Sequence, residues 1–464
     1  MSISYNYTLL RMIAGVLISA SSLSATDIVS FSDPAPMFSV YGQGRPSLPG
    51  KKSQLALSVV PYYQYARNAK DATNKKVALG DRLGLLNMLG LLIHPGTDSW
   101  EYTDIVANAP LSDAYTALAT AAIGHDADLV FVGSTYQPLD ASDARVYWGK
   151  YDTAMSFSRI GARGSLDYCF FNGVGVAVRG GVAEYAVKQP VYTGNPLIDP
   201  TTGVVTVDTS SDAFLTDIKQ FLTGPGPRHD IGAALGINFD GVKNTGVEDM
   251  SIELSWRRGF SLKDNEGDHV VTATPLAAFS MTLPTAEKKI VGNLWDISLG
   301  SDGFYGLTGL AEVSFDFPGM LNVGFGGSGT YFNEDTIGKQ FAPTSDFQVG
   351  IYPWQVAVTK RPGALWKAYA TVKAARFVDS LSCYVTYMYV AHEKDTLTFT
   401  GANNASFKAS KLEKDGAYNA QLIHLGFEYE VTSSLRFGAA LQSIFAGMQV
   451  WKTTTFAGSL SFVF

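Results

Sequence analysis

From Phe456 to the last residue the chain alternates. Phe456, Gly458, Leu460, Phe462 and Phe464 share one parity, and Ala457, Ser459, Ser461 and Val463 share the other. Successive side chains of a strand point to opposite faces, so this pattern predicts a strand with one apolar face and one small or polar face. The pattern recurs upstream. Ile252, Leu254 and Trp256 oppose Ser251, Glu253, Ser255 and Arg257, and Val174, Val176 and Val178 oppose Gly175, Ala177 and Arg179. Ala311, Val313, Phe315 and Phe317 oppose Glu312, Ser314 and Asp316, and Ile423, Leu425, Phe427 and Tyr429 oppose His424 and Glu428.

Fifteen strand-like runs can be marked: 54–66, 152–170, 174–187, 231–239, 250–260, 270–283, 290–299, 305–317, 321–332, 347–358, 364–377, 381–390, 418–429, 435–445 and 452–464. Between them stand turn signals such as Asn172-Gly173, Asp240-Gly241 and Phe317-Pro318-Gly319, dipeptides and clusters that favour tight reversals. The long excursion 67–150 carries two helix-like pieces, 81–93 and 112–123, the second with Ser112 and Asp113 placed to cap it.

The N-terminus reads as a secretory signal over 1–25, with Arg11 as its charge, Met12 to Ala20 as its apolar segment and small residues up to Ala25. That apolar segment is about half the ~20 residues a spanning helix needs. Residues 26–52 are rich in Pro and Gly and read as a periplasmic leader or a small hatch, and 53–464 as the body of the protein.

Alternation alone does not separate a soluble sandwich, apolar inside, from a membrane barrel, apolar outside. Composition and the two termini decide. Charged residues are 17% and aromatics 12% of the 464, with 23 Tyr, 27 Phe and 46 Gly, as a curved sheet with aromatic girdles needs. A chain with a signal-like leader and no spanning helix is either soluble outside the cell or a barrel. The final alternating residues Phe456, Leu460, Phe462 and Phe464 resemble the C-terminal assembly signal of Gram-negative outer-membrane β-barrel proteins. The resemblance implies an all-β, antiparallel up-and-down barrel in the cell outer membrane, in contact with lipid and lipopolysaccharide and inserted by the barrel-assembly machinery. Such barrels have even strand numbers, so fifteen runs imply 14 to 16 strands, with a parity break between Phe332 and Ala364. Porins of this size often form homo-trimers, an expectation by fold analogy.

With the first strand running outward, 67–150, 188–230, 261–269 and 391–417 are expected outside, and the turns at Asn172-Gly173, Phe317-Pro318-Gly319 and Thr432-Ser433-Ser434 inside. The first outer loop is expected to fold partly into the lumen as a plug, because its apolar piece 81–93 has nothing to bury against outside.

A net charge of −7 without a basic cluster argues against nucleic acid. Two cysteines, Cys169 and Cys383, are too few for a disulfide framework. The six histidines (94, 125, 229, 269, 392 and 424) have no ligand spacing, and His392-Glu393 lacks the second His of a zinc-protease helix. No catalytic set, metal site or cofactor is expected. A Ser–His pair around His424 is weighed against a plain lumen-lining histidine. The acidic stretch 263–268 lacks the spacing of a calcium loop; binding of a divalent ion, or contact to lipopolysaccharide through one, is weighed against a solvated turn, which is the expected reading. The stronger signal is a set of charges on polar parities: Arg163, Asp167, Arg179, Glu253, Arg257, Glu312, Asp316, Lys373, Glu428 and Arg436. Opposed charges on a pore wall set up a transverse field that selects solutes; alternatively they pair across strands and satisfy one another. The expected function is passive diffusion of small solutes. The alternatives are carriage of hydrophobic compounds, resembling the fatty-acid transporters although 26–52 lacks their Asn-Pro-Ala signature, or a structural or adhesive surface role.

Overall fold

The structure, a computed structural model, describes residues 53–87, 150–170, 172–194, 232–233, 236–263, 267, 269–318, 321–344, 348–352, 354–400 and 407–464. Twelve strands close into an antiparallel barrel. In chain order they are β1 (Gln54–Ala66), β2 (Lys150–Cys169), β3 (Val174–Gly194), β4 (Met250–Arg257), β5 (His269–Leu283), β6 (Gly306–Asp316), β7 (Leu321–Phe332), β8 (Leu365–Val378), β9 (Leu381–His392), β10 (Tyr418–Thr432), β11 (Leu435–Met448) and β12 (Thr454–Val463). Each pairs with its chain neighbours. Closure comes from β1 against β12, with Ala56 opposite Val463 and Tyr65 opposite Thr454. A closed cylinder leaves no strand edge unpaired, which is what a backbone surrounded by lipid requires.

The parity read from the sequence sorts the faces. Ile160, Leu254, Phe279, Phe325, Val372, Val385, Phe427 and Phe456 point outward and are exposed, while Ser58, Arg163, Arg179, Glu253, Thr308, Thr386 and Ser461 point inward and are buried. An exposed apolar band of this extent is unstable in water and suits hydrocarbon. Aromatic rings cluster near both rims, with Tyr65 stacked on Tyr63 at 6.2 Å and on Phe456 at 6.4 Å, and Tyr168 edge-on to Phe170 at 4.8 Å. Charges on the outward parity, such as Glu184 and Lys188 in β3, sit toward the long-loop end.

Three of the fifteen runs do not join the barrel, so the count is twelve rather than 14 to 16. Residues 231–239, 290–299 and 347–358 all fall between barrel strands at the long-loop end; among their described residues, Asn238 and Asn293 make one parallel bridge and the last run enters a strand at Trp354–Arg361. That strand pairs with Asp335–Ala342 and Thr396–Thr400 in a separate small sheet. The three runs are apolar for another reason: Ile237, Phe239, Ile297, Leu299 and Ile351 bury into a core capping the lumen. Burial inside protein and burial against lipid select the same residue types.

The lost run at 231–239 also shifts the assignment of sides. Trp256 lies opposite Val174, and the Arg257 N–H donates to the Gly173 carbonyl at 2.9 Å. The turn after β4 is therefore at the Asn172-Gly173 end, and the described residues of 261–269 lie inside rather than outside. The Asn172-Gly173 turn itself forms as expected, with Gly173 at φ +87° and the Phe170 N–H donating to the Val174 carbonyl at 2.7 Å. A Cβ on Gly173 would meet the Arg257 carbonyl oxygen at 2.1 Å.

The helix expected over 81–93 is absent from its described part. Leu79–Asp81 makes one 3-10 turn and Leu86–Asn87 pairs with β2. Gly84 at φ +118° ends any helical run there. The piece 112–123, the signal segment 1–25 and the leader 26–52 lie outside the described residues.

Candidate functional site: the lumen wall

All ten charged positions marked in the sequence lie on inward parities, but the structure gathers them into pairs and not into two opposed rows. Arg163 is 3% exposed and grips Glu248 through two bonds of 2.7 Å. The Arg163 guanidinium also lies 5.2 Å above the Tyr62 ring, whose hydroxyl donates to Glu248 at 2.9 Å. One turn of wall further down, Arg179 bridges Glu253 at 2.5 Å and Asp167 at 3.1 Å, and Ser165 donates to Asp167 at 2.6 Å. Strand pairing explains the meeting: Arg179 stands opposite Ser165 on β2 and Ser251 on β4, within diagonal reach of Asp167 and Glu253.

The second group sits across β8, β10 and β11 toward the short-turn end. Lys373 lies 3.0 Å from Glu428, Glu428 lies 3.5 Å from Arg436, and Arg376 lies 2.7 Å from Glu430. Glu312 accepts a 2.6 Å bond from Tyr369, and Asp316 accepts one from Asn322. Arg257 is half-buried at the inner end of β4. Cross-strand pairing thus accounts for most of the set.

Sequence reasoning missed several members. Arg159 and Lys367 are 3% and 4% exposed and share the inward parities of Arg163 and Lys373, so extending those parities by two or three steps finds them. Glu248 gave no such signal. It sits between a strand at Val242–Val247 and β4, in a break where its N–H donates to the Gly181 carbonyl at 2.7 Å. A break resets the parity, and only the packed structure says which way the side chain turns.

Polarity varies along the lumen. The middle is lined by Ser58, Ser165, Thr274, Ser328, Thr386, His424, Gln442 and Thr455. Several buried atoms there, namely Thr274 Oγ1, Ser328 Oγ, Thr455 Oγ1 and His424 Nδ1, have no protein partner. The outer end is apolar instead. Phe157, Tyr185 and Val187 of the wall pack against Leu79, Leu86, Trp295, Ile297 and Leu299 from the loops. Phe332, Leu365, Met388 and Leu422 form a second cluster with Phe304. The loops that supply these residues are tied down by polar bonds. Tyr185 donates to Asp296, and Asp249 accepts from the Ala286 N–H at 2.9 Å and the Ser301 N–H at 2.5 Å. Asp81 accepts from the Thr153 N–H at 2.9 Å. Burial pushes the Asp81 carboxyl up to about 7 against that bond, and the neighbouring Asp152 adds to the rise.

His424 Nε2 lies 3.2 Å from the Tyr384 hydroxyl, not against a serine. Among the described residues no group of three or more His, Cys, Asp or Glu could hold a metal ion. Cys169 is buried and Cys383 exposed, and they form no disulfide. Of the stretch 263–268 only Lys263 and Gly267 are among the described residues; Lys263 ends a strand paired with the start of β5 at the short-turn end, the side opposite to the long loops.

No known family matches the chain, and no curated protein matches it. Among solved structures, an outer membrane channel from Pseudomonas putida F1 is 9% identical at TM-score 0.45, covering 92% of this chain and 100% of its own. The NanC porin is 10% identical at TM-score 0.29, covering 66% of this chain and 93% of its own. The translocator domain of the autotransporter NalP from Neisseria meningitidis is 8% identical at TM-score 0.28, covering 89% and 88%. None of these scores reaches 0.5, and none decides a function. The lipid-facing band, the aromatic rims and the short turns at one end do decide the architecture. The chain is an outer-membrane β-barrel.

Proposed function

We propose that the barrel is a passive channel for small solutes, narrowed at its outer end by inward loops. The observation that carries this is the polar middle of the lumen, lined by Ser58, Ser165, Thr274, Ser328, Thr386, His424, Gln442 and Thr455. A barrel that is apolar toward lipid and polar within is the arrangement of a water-filled channel, and this continuous polar wall supports that reading. The paired charges keep the wall close to neutral, so the channel discriminates by size more than by charge sign. The segment 68–87 and the loop 284–305 act as the constriction.

Reconstitution into planar bilayers tests the reading. Wild-type protein gives discrete conductance steps, and Tyr185→Phe, which frees Asp296 from the wall, raises their size or frequency. No steps from wild type or from a chain lacking residues 288–303 would overturn it. Liposome swelling with sugars, set beside uptake of a labelled fatty acid, separates this reading from a carrier of hydrophobic compounds. Recognition by the assembly machinery belongs to the same reading. Phe462 and Phe464 stack at 6.5 Å, and Phe464 is 71% exposed, so Phe464→Ala lowers the yield of membrane-inserted protein without altering the lumen. The size of the purified assembly tests the trimer.

A further inference from the structure

At the outer end lies a cavity of about 330 Å³, between the loops 288–294 and 350–352 and the strand Asp335–Ala342. The geometry points to a binding site in this cavity for a small, uncharged, largely apolar solute that carries one hydrogen-bonding group. The site deepens the channel reading, and rests on that reading only for where the solute goes next.

Three observations fix the chemical class. The first is the lining, in which Ile237, Ile290, Val291, Leu294, Phe341 and Ile351 predominate. Pockets that hold small molecules are mostly apolar with a few placed polar groups, and Asn293, Thr336 and Gln340 supply those here. The second is charge. Lys288 lies 3.6 Å from Asp335 and Lys289 3.9 Å from Asp302, while Asp296 accepts from Tyr185 and from the Ile290 N–H at 2.6 Å. Each charge at the cavity faces a counter-charge or a donor, so a charged solute would enter without a partner of its own, at a desolvation cost an uncharged one escapes.

The third is that the apolar rim is built and not frayed. Ile290 is 58% and Val291 43% exposed at the end of a loop, where polar residues are the rule. The backbone holds them there. The Asn238 N–H donates to the Gly292 carbonyl at 2.6 Å, and the Leu294 N–H donates to the Asn238 carbonyl at 3.1 Å. Gly292 stands at φ +104°, and a Cβ on it would meet the Gly236 carbonyl oxygen at 2.5 Å. The loop closes in this form only with glycine, and the form displays Ile290 and Val291 at the rim. Beneath the cavity, Asp296 joins Tyr185 of the wall, so an occupant sits directly on the contact that closes the outer lumen.

Photolabelling of the folded full-length protein in detergent tests the site. The probes are octanol, octanoate and octylamine, each carrying a diazirine, with adducts mapped by mass spectrometry. The alkanol labels 288–294 and 336–341 saturably, whereas labelling of the lipid-facing band rises linearly with concentration. The two charged probes label the site several-fold less. Ile290→Asp and Val291→Asp, at exposed positions that leave folding intact, cut site labelling about tenfold, the equivalent of 1.4 kcal/mol. Labelling spread evenly over the band, equal labelling by the charged probes, or unchanged labelling in both variants would each overturn the proposal. Conductance of the same preparations keeps the two readings apart. Conducting protein without site labelling sinks the cavity and spares the channel. Site labelling in protein that does not conduct does the reverse.

Discussion

The lumen holds two clusters of paired basic and acidic side chains, and they differ in burial and in the tightness of the pairing. Around Arg163 and Arg179 the side chains are 1–11% exposed, and each guanidinium is held at 2.5–3.1 Å. Around Lys373, Arg376 and Arg436 the distances are 2.7–4.0 Å and the side chains are 19–65% exposed. In the first cluster water cannot stand in for a missing partner. In the second it can. Spacing on the strand brings ions together in both places, but the surroundings set what the pairing is worth.

Breaking a buried pair gives the largest effect. Glu248→Ala strands Arg163 and costs about 3–5 kcal/mol of stability, read as a lower urea midpoint for the loss of heat-modifiable migration. The double variant Arg163→Met with Glu248→Leu sharpens the point, because removing both charges recovers most of that loss. An intermediate effect comes from the outer loops: Tyr185→Phe costs about 1–3 kcal/mol, the range for a hydrogen bond to a charged group, and appears as faster hydrogen exchange over 286–304. Arg376→Ala in the exposed cluster changes the urea midpoint by less than about 1 kcal/mol. A loss there as large as that of Glu248→Ala would break the comparison.

Asp81 tests the same rule from the other side, as a buried carboxyl with no cation among its bonds. Its pKa is raised from 3.8 to about 7 by burial first and Asp152 after it, so the docked segment holds a proton that the released one gives up. Docking is then at full strength at low pH and weakens as pH rises from near 4 to about 7. Hydrogen exchange over 68–87 should quicken across that window, and Asp81→Asn should flatten the dependence.

Much of this was legible in the chain. Period-two alternation with apolar residues on one parity identified all twelve barrel strands, because lipid and lumen lie on opposite sides of every strand. The inward position of the ten marked charges followed from the same parity. Three further runs, 231–239, 290–299 and 347–358, were read as spanning. A short apolar run looks the same whether lipid or a loop core buries it, and one false strand inverts the sidedness of a later turn, as it did for 261–269. The local stereochemistry of Gly84 and Gly292 likewise shows no trace in hydrophobic pattern.

The sequence by itself determined that this chain is a barrel with an oily outside and a polar inside, since that rests on alternation, a property of the strand alone. Tertiary structure decided which charges pair, that Glu248 turns toward Arg163, and that loops close the outer lumen with a small apolar cavity above them. Those outcomes depend on register between distant strands and on how loops fold back over the mouth, and neither quantity is written in the spacing of residues along one segment.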